Sequence, residues 1–387
     1  MEFMGYVRET GKVGSRNYVA VIPSVVCAND VAMAIVAQTD NTRGIYHHQG
    51  CCQLPPDLEM VTESLIGLGC HPNAGAVLVV SLGCEGTDVD RLVSEISKTG
   101  KPVELIEIQK LGGTSNSIAK GIDAAQDLAI KISGLQREPV DISNYVMSIK
   151  CGGSDATSGL ASNCVVGYVA DKIIDLGGTV VFGETTEFIG AEHILAKRAR
   201  TPEIGNKIYE IVDMMEQRSK SMGCDMRKGQ PTPGNIAGGL SSIEDKSLGA
   251  IVKSGTKPIE GVLKYTDIIT GQKGLWIKDT PGREIEILTG MAITGSQCML
   301  FSTGRGAPQG FPIMPVIKVC GNPITFEHMK GDMDINAGRI ITGEKSIEEV
   351  GEETFKMLIN VLSGQTTKNE TIKYYNSIDI YTLGPVI

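Results

Sequence analysis

Short apolar runs rich in β-branched residues recur along the chain: NYVAVIPSVV (17–26), GAVLVVSLG (75–83), PVELIEI (102–108), NYVMSI (144–149) and GTVVFGE (178–184). GVLKY (261–265), GLWIKD (274–279), CMLFSTG (298–304) and PVIKVCGN (315–322) continue the series. Runs apolar on both faces read as strands of a parallel sheet, covered on each side by the helices that connect them. The intervening stretches are long enough for such crossovers, and four of them, 57–69, 114–135, 157–177 and 203–223, read as helices ending at or near a glycine. The pattern predicts an α/β protein with a mainly parallel sheet.

At 387 residues the chain exceeds the usual size of a single core, so two domains are expected. The polar, proline-containing stretch QREPVDISN (136–144) is the predicted connection, giving domains 1–140 and 141–387. A net charge of -9 offers no footprint for nucleic acid or an anionic membrane surface. The N-terminus has no apolar leader, and AGAVLVVSLG (74–83) is too short to cross a bilayer, so the cytoplasm is the expected location.

Ten cysteines without a CxxC pair suit neither a zinc ribbon nor a disulfide framework in a reducing compartment. In parallel sheets, ligands gather at the carboxyl ends of strands. There TRGIY is followed by HHQGCCQ, GAVLVVSLG by Cys84 and NYVMSIK by CGGSDATSG, so three strand ends each bear a cysteine. For one cysteine, a buried thiol beside a glycine turn is the simpler reading; for three equivalent ones, Cys51, Cys84 and Cys151, a thiolate metal site is favoured, with Cys52 able to replace Cys51. His47 or His48 can add an imidazole ligand or a base.

CGGSDATSG before a helix resembles an anion-binding turn, in which Ser154 and Asp155 would face the guest; a capped tight turn explains it equally. FGETTEFIGAEH (182–193) gathers Glu184, Glu187, Glu192 and His193, with Glu187 or His193 as acid or base. The glycine-rich 231–249 stretch supplies Lys246, and STGRG supplies Arg305, a fork suited to a carboxylate. DMDINAG holds Asp332 and Asp334 without EF-hand spacing.

Taken in order, GYVRETGKVGSRNYV, GCCQ, HPNAGAVLVVSLGCE, KCGGSDATSGLASN, ETTEFIGAEH, GNIAGGLSSIEDKSLGAI, DTPG, STGRGAPQGFPIMPVIKV and DMDINAG strongly resemble the altronate/galactarate dehydratase family, from about residue 5 to the C-terminus. GNIAGGLSSIEDKSLG and FGETTEFIGAEH are also similar to the sulfolactate sulfo-lyase large subunit of the same superfamily, whereas GCCQ and GCEG look more like the sugar-acid dehydratases.

The resemblance implies loss of water from a sugar acid, an altronate-like aldonate or aldarate, to give a 2-keto-3-deoxy acid. Iron is the implied cofactor, as Fe2+ or as an iron-sulfur cluster held by Cys51, Cys84 and Cys151. His47, His48, Glu187, His193 and Lys246 are the candidate bases, and Arg16, Ser154, Asp155 and Arg305 the candidate substrate contacts. The family architecture implies a dimerising first domain and a Rossmann-like C-terminal variant, and a homodimer or higher oligomer. Because the sequence starts directly at GYVRETGKVG, a separate small β-rich SAF subunit is the expected partner. C-S cleavage of sulfolactate and a noncatalytic sugar-acid-binding role are the alternatives.

Overall fold

A computed structural model describes residues 1–385. Two parallel sheets carry the fold. The first has four strands in the order Thr42–Gly44, Tyr18–Pro23, Ala74–Ser81, Val103–Glu107. The second has seven, ordered Ile259–Leu263, Gly274–Lys278, Thr179–Phe182, Val146–Cys151, Cys298–Thr303, Val316–Cys320, Ile335–Asn336, with every pairing parallel. Tyr18–Pro23 and Ala74–Ser81 are buried at every position, which is why their sequences read apolar on both faces.

Strand Val146–Cys151 sits at the switch point of the second sheet: the chain steps from it to Thr179–Phe182 on one side and later returns to place Cys298–Thr303 on the other. The crevice at its carboxyl end is where an open α/β sheet receives its ligand.

The expected connection at 136–144 is instead structured. Glu138–Asp141 pairs antiparallel with the N-terminal strand Glu2–Val7, which also pairs with Val13–Gly14. Its proline is accommodated at the edge of this small sheet. The helix expected at 157–177 opens with a π-helical turn, Ser158–Ser162, before the α-helix Asn163–Asp175. Helices Asn29–Val36, Val89–Ser97, Ile243–Ile251, Glu284–Ile293 and Ile347–Leu362 add to those read from the sequence.

The two sheets share a hydrophobic cluster. Ile22, Val77 and Val79 of the first belong to the same cluster as Val181, Met299 and Phe301 of the second. Helices Pro55–Gly69 and Glu284–Ile293 meet within it, and a Cβ on Gly67 would stand 2.7 Å from Ile293 Cγ2, so this crossing needs glycine. Polar groups lock the seam: Asn73 accepts the Ser15 N–H at 2.7 Å and donates to the carbonyls of Gln297 and Ile313 at 3.0 and 2.8 Å.

Candidate active site

Cys151 ends the central strand, and its neighbour Lys150 is also buried although lysine is ordinarily a surface residue. Burial is tolerated because Lys150 Nζ donates to Cys151 O at 2.9 Å and approaches Glu184 at 3.4 Å and Glu284 at 3.3 Å. Lys253, after helix Ile243–Ile251, is wholly buried between Glu184 (2.6 Å) and Glu187 (2.9 Å). From the same helix Lys246 comes within 3.6 Å of Glu187. Three lysines and three carboxylates thus balance their charges around one strand end.

Glu184 occupies the left-handed region (φ 72, ψ 62), rare for a residue bearing a Cβ, and its N–H is held by Thr280 Oγ1 at 2.8 Å. This turn aims its carboxylate back at the sheet, where Oε2 accepts the Cys151 N–H at 3.0 Å. Its other oxygen is buried without a hydrogen bond. Burial, reinforced by the charge on Glu187, raises the Glu184 pKa. At Glu187 burial acts in the same direction but is outweighed by Lys253, Lys246 and Lys150, which hold it below the usual carboxylate range. The pair is therefore polarised, the lysines favouring the ionised form of Glu187 more strongly than that of Glu184.

A cleft of about 450 Å³ opens over this cluster, lined by Lys150, Cys151, Ser154, Glu187, Lys246 and Arg283 among others, and a lobe of about 280 Å³ adjoins it along Cys151, Ser154 and Lys246. Cys151 Sγ lies 3.0 Å from Ser154 Oγ. Asn235 fixes the turn by donating to Ser154 O at 2.9 Å. A carboxylate, an ammonium, a hydroxyl and a thiol converge on a space of small-ligand size.

The structure thus gathers Cys151, Ser154, Glu187 and Lys246 from the expected set. Arg305 stands beside them, its N–H bonded to Gly153 O at 2.8 Å and the residue exposed. The other candidates lie elsewhere or are committed. Asp155 lines the cleft, but its Oδ1 accepts from Ser158 N (3.1 Å) and Thr157 Oγ1 (2.6 Å) and its Oδ2 from Asn322 Nδ2 (3.1 Å), so it is a helix cap. Nor is the CGGSDATSG turn an open cradle for an anion: the N–H groups of Gly152, Asp155, Ala156 and Ser158 already have protein acceptors.

Arg16 is buried with its guanidinium spread over Glu370 (2.7 and 2.9 Å) and the carbonyls of Ser15, Val361 and Gln365, leaving no fork for a substrate. His47 is buried in the first body; Nε2 bonds Pro23 O at 2.8 Å and Nδ1 accepts the Gln49 N–H at 3.1 Å. Burial pushes its pKa down to about 4. His48 is exposed in the same loop, and His193 is exposed on helix Glu192–Lys197. Neither lines the cleft. Asp334 is taken up by the N–H groups of Lys318 and Lys368 at 2.8 and 3.1 Å.

The three-thiolate centre does not assemble. Cys51 and Cys84 are exposed at the end of the first sheet, whereas Cys151 is buried in the second. Burial and then the Glu187 charge raise the Cys151 pKa. Among the described residues no group of three or more His, Cys, Asp or Glu side chains is placed to hold a metal ion. The residues present do not fit an iron site of that kind.

Lys150, Lys253 and Glu284 were missed by sequence reading. A partial signal was present for the lysines: NYVMSIKC and AIVKSG each carry one inside an apolar run, where a buried ammonium needs acceptors, although Lys278 and Lys318 in similar runs find theirs in backbone carbonyls.

Residues 142–386 match the family described as D-galactarate/Altronate dehydratase, C-terminal, and residues 5–133 match D-galactarate dehydratase/Altronate hydrolase, second domain. The chain belongs to this dehydratase family. It is 38% identical to the (2R)-sulfolactate sulfo-lyase subunit beta of Chromohalobacter salexigens, over 96% of this chain and 95% of that protein. It is 34% identical to the altronate dehydratase of Bacillus subtilis, over 95% of this chain and 75% of that protein. Identity to the galactarate dehydratase (L-threo-forming) of Escherichia coli is 32%, over 99% and 77% respectively. Among the described residues no helix is long and apolar enough to cross a membrane.

Proposed function

We propose that this dehydratase-family chain is a lyase subunit that removes water from a sugar acid of the altronate or galactarate type, yielding a 2-keto-3-deoxy acid. The observation that carries the reading is the polarised pair: Glu187, ionised and lining the cleft, is backed by Lys253 and Glu184, which are closed to solvent. Removing a proton from the carbon next to a carboxylate needs a base and a positive group for the enolate that forms. Glu187 is the base, and Lys246 and Arg283 in the cleft wall face the substrate carboxylate. Ser154 and the Cys151 thiol hydrogen-bond the departing hydroxyl. The proton taken from carbon and returned to that hydroxyl completes the loss of water, and the enol left behind tautomerises to the ketone. No step is routed through iron, because the expected cysteine ligands do not fit such a centre.

We further propose that the chain works in the cytoplasm with a separate small subunit. Ten free cysteines suit a reducing compartment. The relative covered over 95% of its length is called a subunit, whereas the altronate and galactarate dehydratases are longer than the matched region. The same coverage favours a second reading, elimination of sulfite from sulfolactate.

The test is an anaerobic assay with altronate, galactarate and (2R)-sulfolactate, with and without ferrous iron and a small SAF subunit, measuring keto acid and sulfite. Keto acid formation that is lost in Glu187→Gln supports the dehydratase reading. Sulfite alone replaces it with the second, and stabilisation by a sugar acid without turnover under every condition makes the chain a binding subunit.

A further inference from the structure

A recess of 360 Å³ lies at the opposite end of the seven-stranded sheet from the cleft, where the turn Thr10–Val13 of the first body faces the loop Ile269–Lys273 of the second. Val146 and Thr179, the first residues of two strands, form part of its floor. Its lining includes Lys12 and Lys273 and no carboxylate; the other polar side chains are threonine, asparagine and glutamine.

Lys12 is the informative residue. Its pKa is lowered by burial, and the opposing influence is the Cys70 thiol rather than an acid. No ion pair or side-chain hydrogen bond satisfies its ammonium among the described residues, in contrast to the paired lysines of the cleft. More positive charge stands behind the same wall. Arg8 Nε donates to the carbonyl of Pro72, itself a lining residue, at 2.8 Å. On the far side, Lys273 Nζ donates to the carbonyl of Ser143, which leaves its charge without an acid partner; burial lowers its pKa, opposed by Asp141, which already pairs with the N-terminal amine at 3.5 Å. In a chain of net charge -9, Lys12 and Lys273 in the walls, with Arg8 behind them, make one locally positive recess without a carboxylate in its lining.

We propose that this recess is a binding site for a small oxyanion of phosphate or carboxylate chemistry, separate from the catalytic cleft. The hydroxyl and amide groups of the lining complete the donor set that such an anion requires. An anion there bridges Lys12 of the first body and Lys273 of the second, so binding strengthens the contact between the sheets.

The molecule carries its own reporter. Trp276 is the single tryptophan, and its indole N–H donates to Lys273 O at 3.1 Å. The full chain is titrated with inorganic phosphate and, separately, with citrate, at ionic strength held constant with potassium chloride, while Trp276 emission and Tm are followed. A saturable emission change with a rise in Tm is expected, weakened about tenfold or more in Lys12→Gln and in Lys273→Gln and retained in Lys12→Arg. Saturation by phosphate alone assigns phosphate chemistry, and saturation by citrate alone assigns carboxylate chemistry. A linear response to both anions overturns the proposal, as does a saturable one unchanged in Lys12→Gln. Each variant is first melted in anion-free buffer; should one not fold, wild-type saturation and its retention in Lys12→Arg decide.

Discussion

Lys253 Nζ lies 2.6 Å from Glu184 Oε2 in a part of the fold where neither side chain meets solvent. The same ammonium serves Glu187, so its removal strands two buried carboxylates. Lys253→Met is expected to cost about 3–5 kcal/mol in denaturant unfolding, and to abolish turnover. Adding Glu184→Gln removes one stranded charge and should restore part of the stability without restoring activity. Unchanged unfolding of the single variant would show that the buried triad is not formed.

Glu187 is expected to behave differently from its neighbour. Glu187→Gln keeps the shape of the side chain while removing the base, so kcat should fall by about 10²–10⁴-fold with KM little changed. Steady-state kinetics on the sugar acid that proves to be turned over decides this, and wild-type kcat in the variant would take Glu187 out of the reaction.

Arg16 and Glu370 join the start of the chain to its end through a bidentate pair buried on both sides. Arg16→Ala is expected to lower stability by about 3–5 kcal/mol, because Glu370 would remain buried without its partner. Arg16→Lys should recover only part, since an ammonium cannot reproduce the fork. Urea unfolding measures both. The variants that remain folded should keep the wild-type KM, the outcome that separates a staple from the substrate contact expected from sequence.

Acid should destabilise the fold through histidines that never meet substrate. Burial lowers the pKa of His47 to about 4 and of His71 to about 3, below the unfolded value of about 6.5. The unfolded chain therefore binds these protons first. The contribution is fully present above about pH 6.5 and is lost as pH falls toward 4, with a slope of up to about 1.4 kcal/mol per pH unit for each histidine. Unfolding free energy measured between pH 7 and 4 should show this fall and lose part of it in His71→Gln. A flat profile would contradict the buried neutral imidazoles.

The cysteines divide by position. Cys51→Ser and Cys84→Ser, both exposed, should leave turnover within about twofold, since substitutions outside packed or bonded networks shift free energies by about 0.5 kcal/mol. Cys151→Ser alters the wall of the cleft and should lower kcat. Equal losses in all three, accompanied by loss of iron from the purified protein, would instead favour the three-cysteine centre.

The α/β class was legible because strands such as Ala74–Ser81 are buried at every position and so leave an unbroken apolar run. Strand Glu138–Asp141 was not, because a short edge strand alternating with a proline looks like a linker when its partner lies more than a hundred residues away. At the site, strand-end placement identified Cys151 and Ser154 but credited Cys51 and Cys84 with the same neighbourhood. Cys51 and Cys84 follow strands of the first sheet and Cys151 ends a strand of the second, and the sequence pattern does not say which sheet a strand joins. Arg16 and His47 misled for a related reason: a residue type suited to chemistry serves equally well to satisfy buried backbone carbonyls.

The cluster shared by the two sheets also constrains synthesis. The four strands of the first sheet leave the ribosome well before helix Glu284–Ile293, against which helix Pro55–Gly69 packs. During that interval Leu65 and Leu68 lack their final covering, and a nascent chain with such a face bare to water is prone to aggregate. Translation speed and chaperone capture between residue 110 and residue 293 therefore bear directly on how much of this protein reaches its native state.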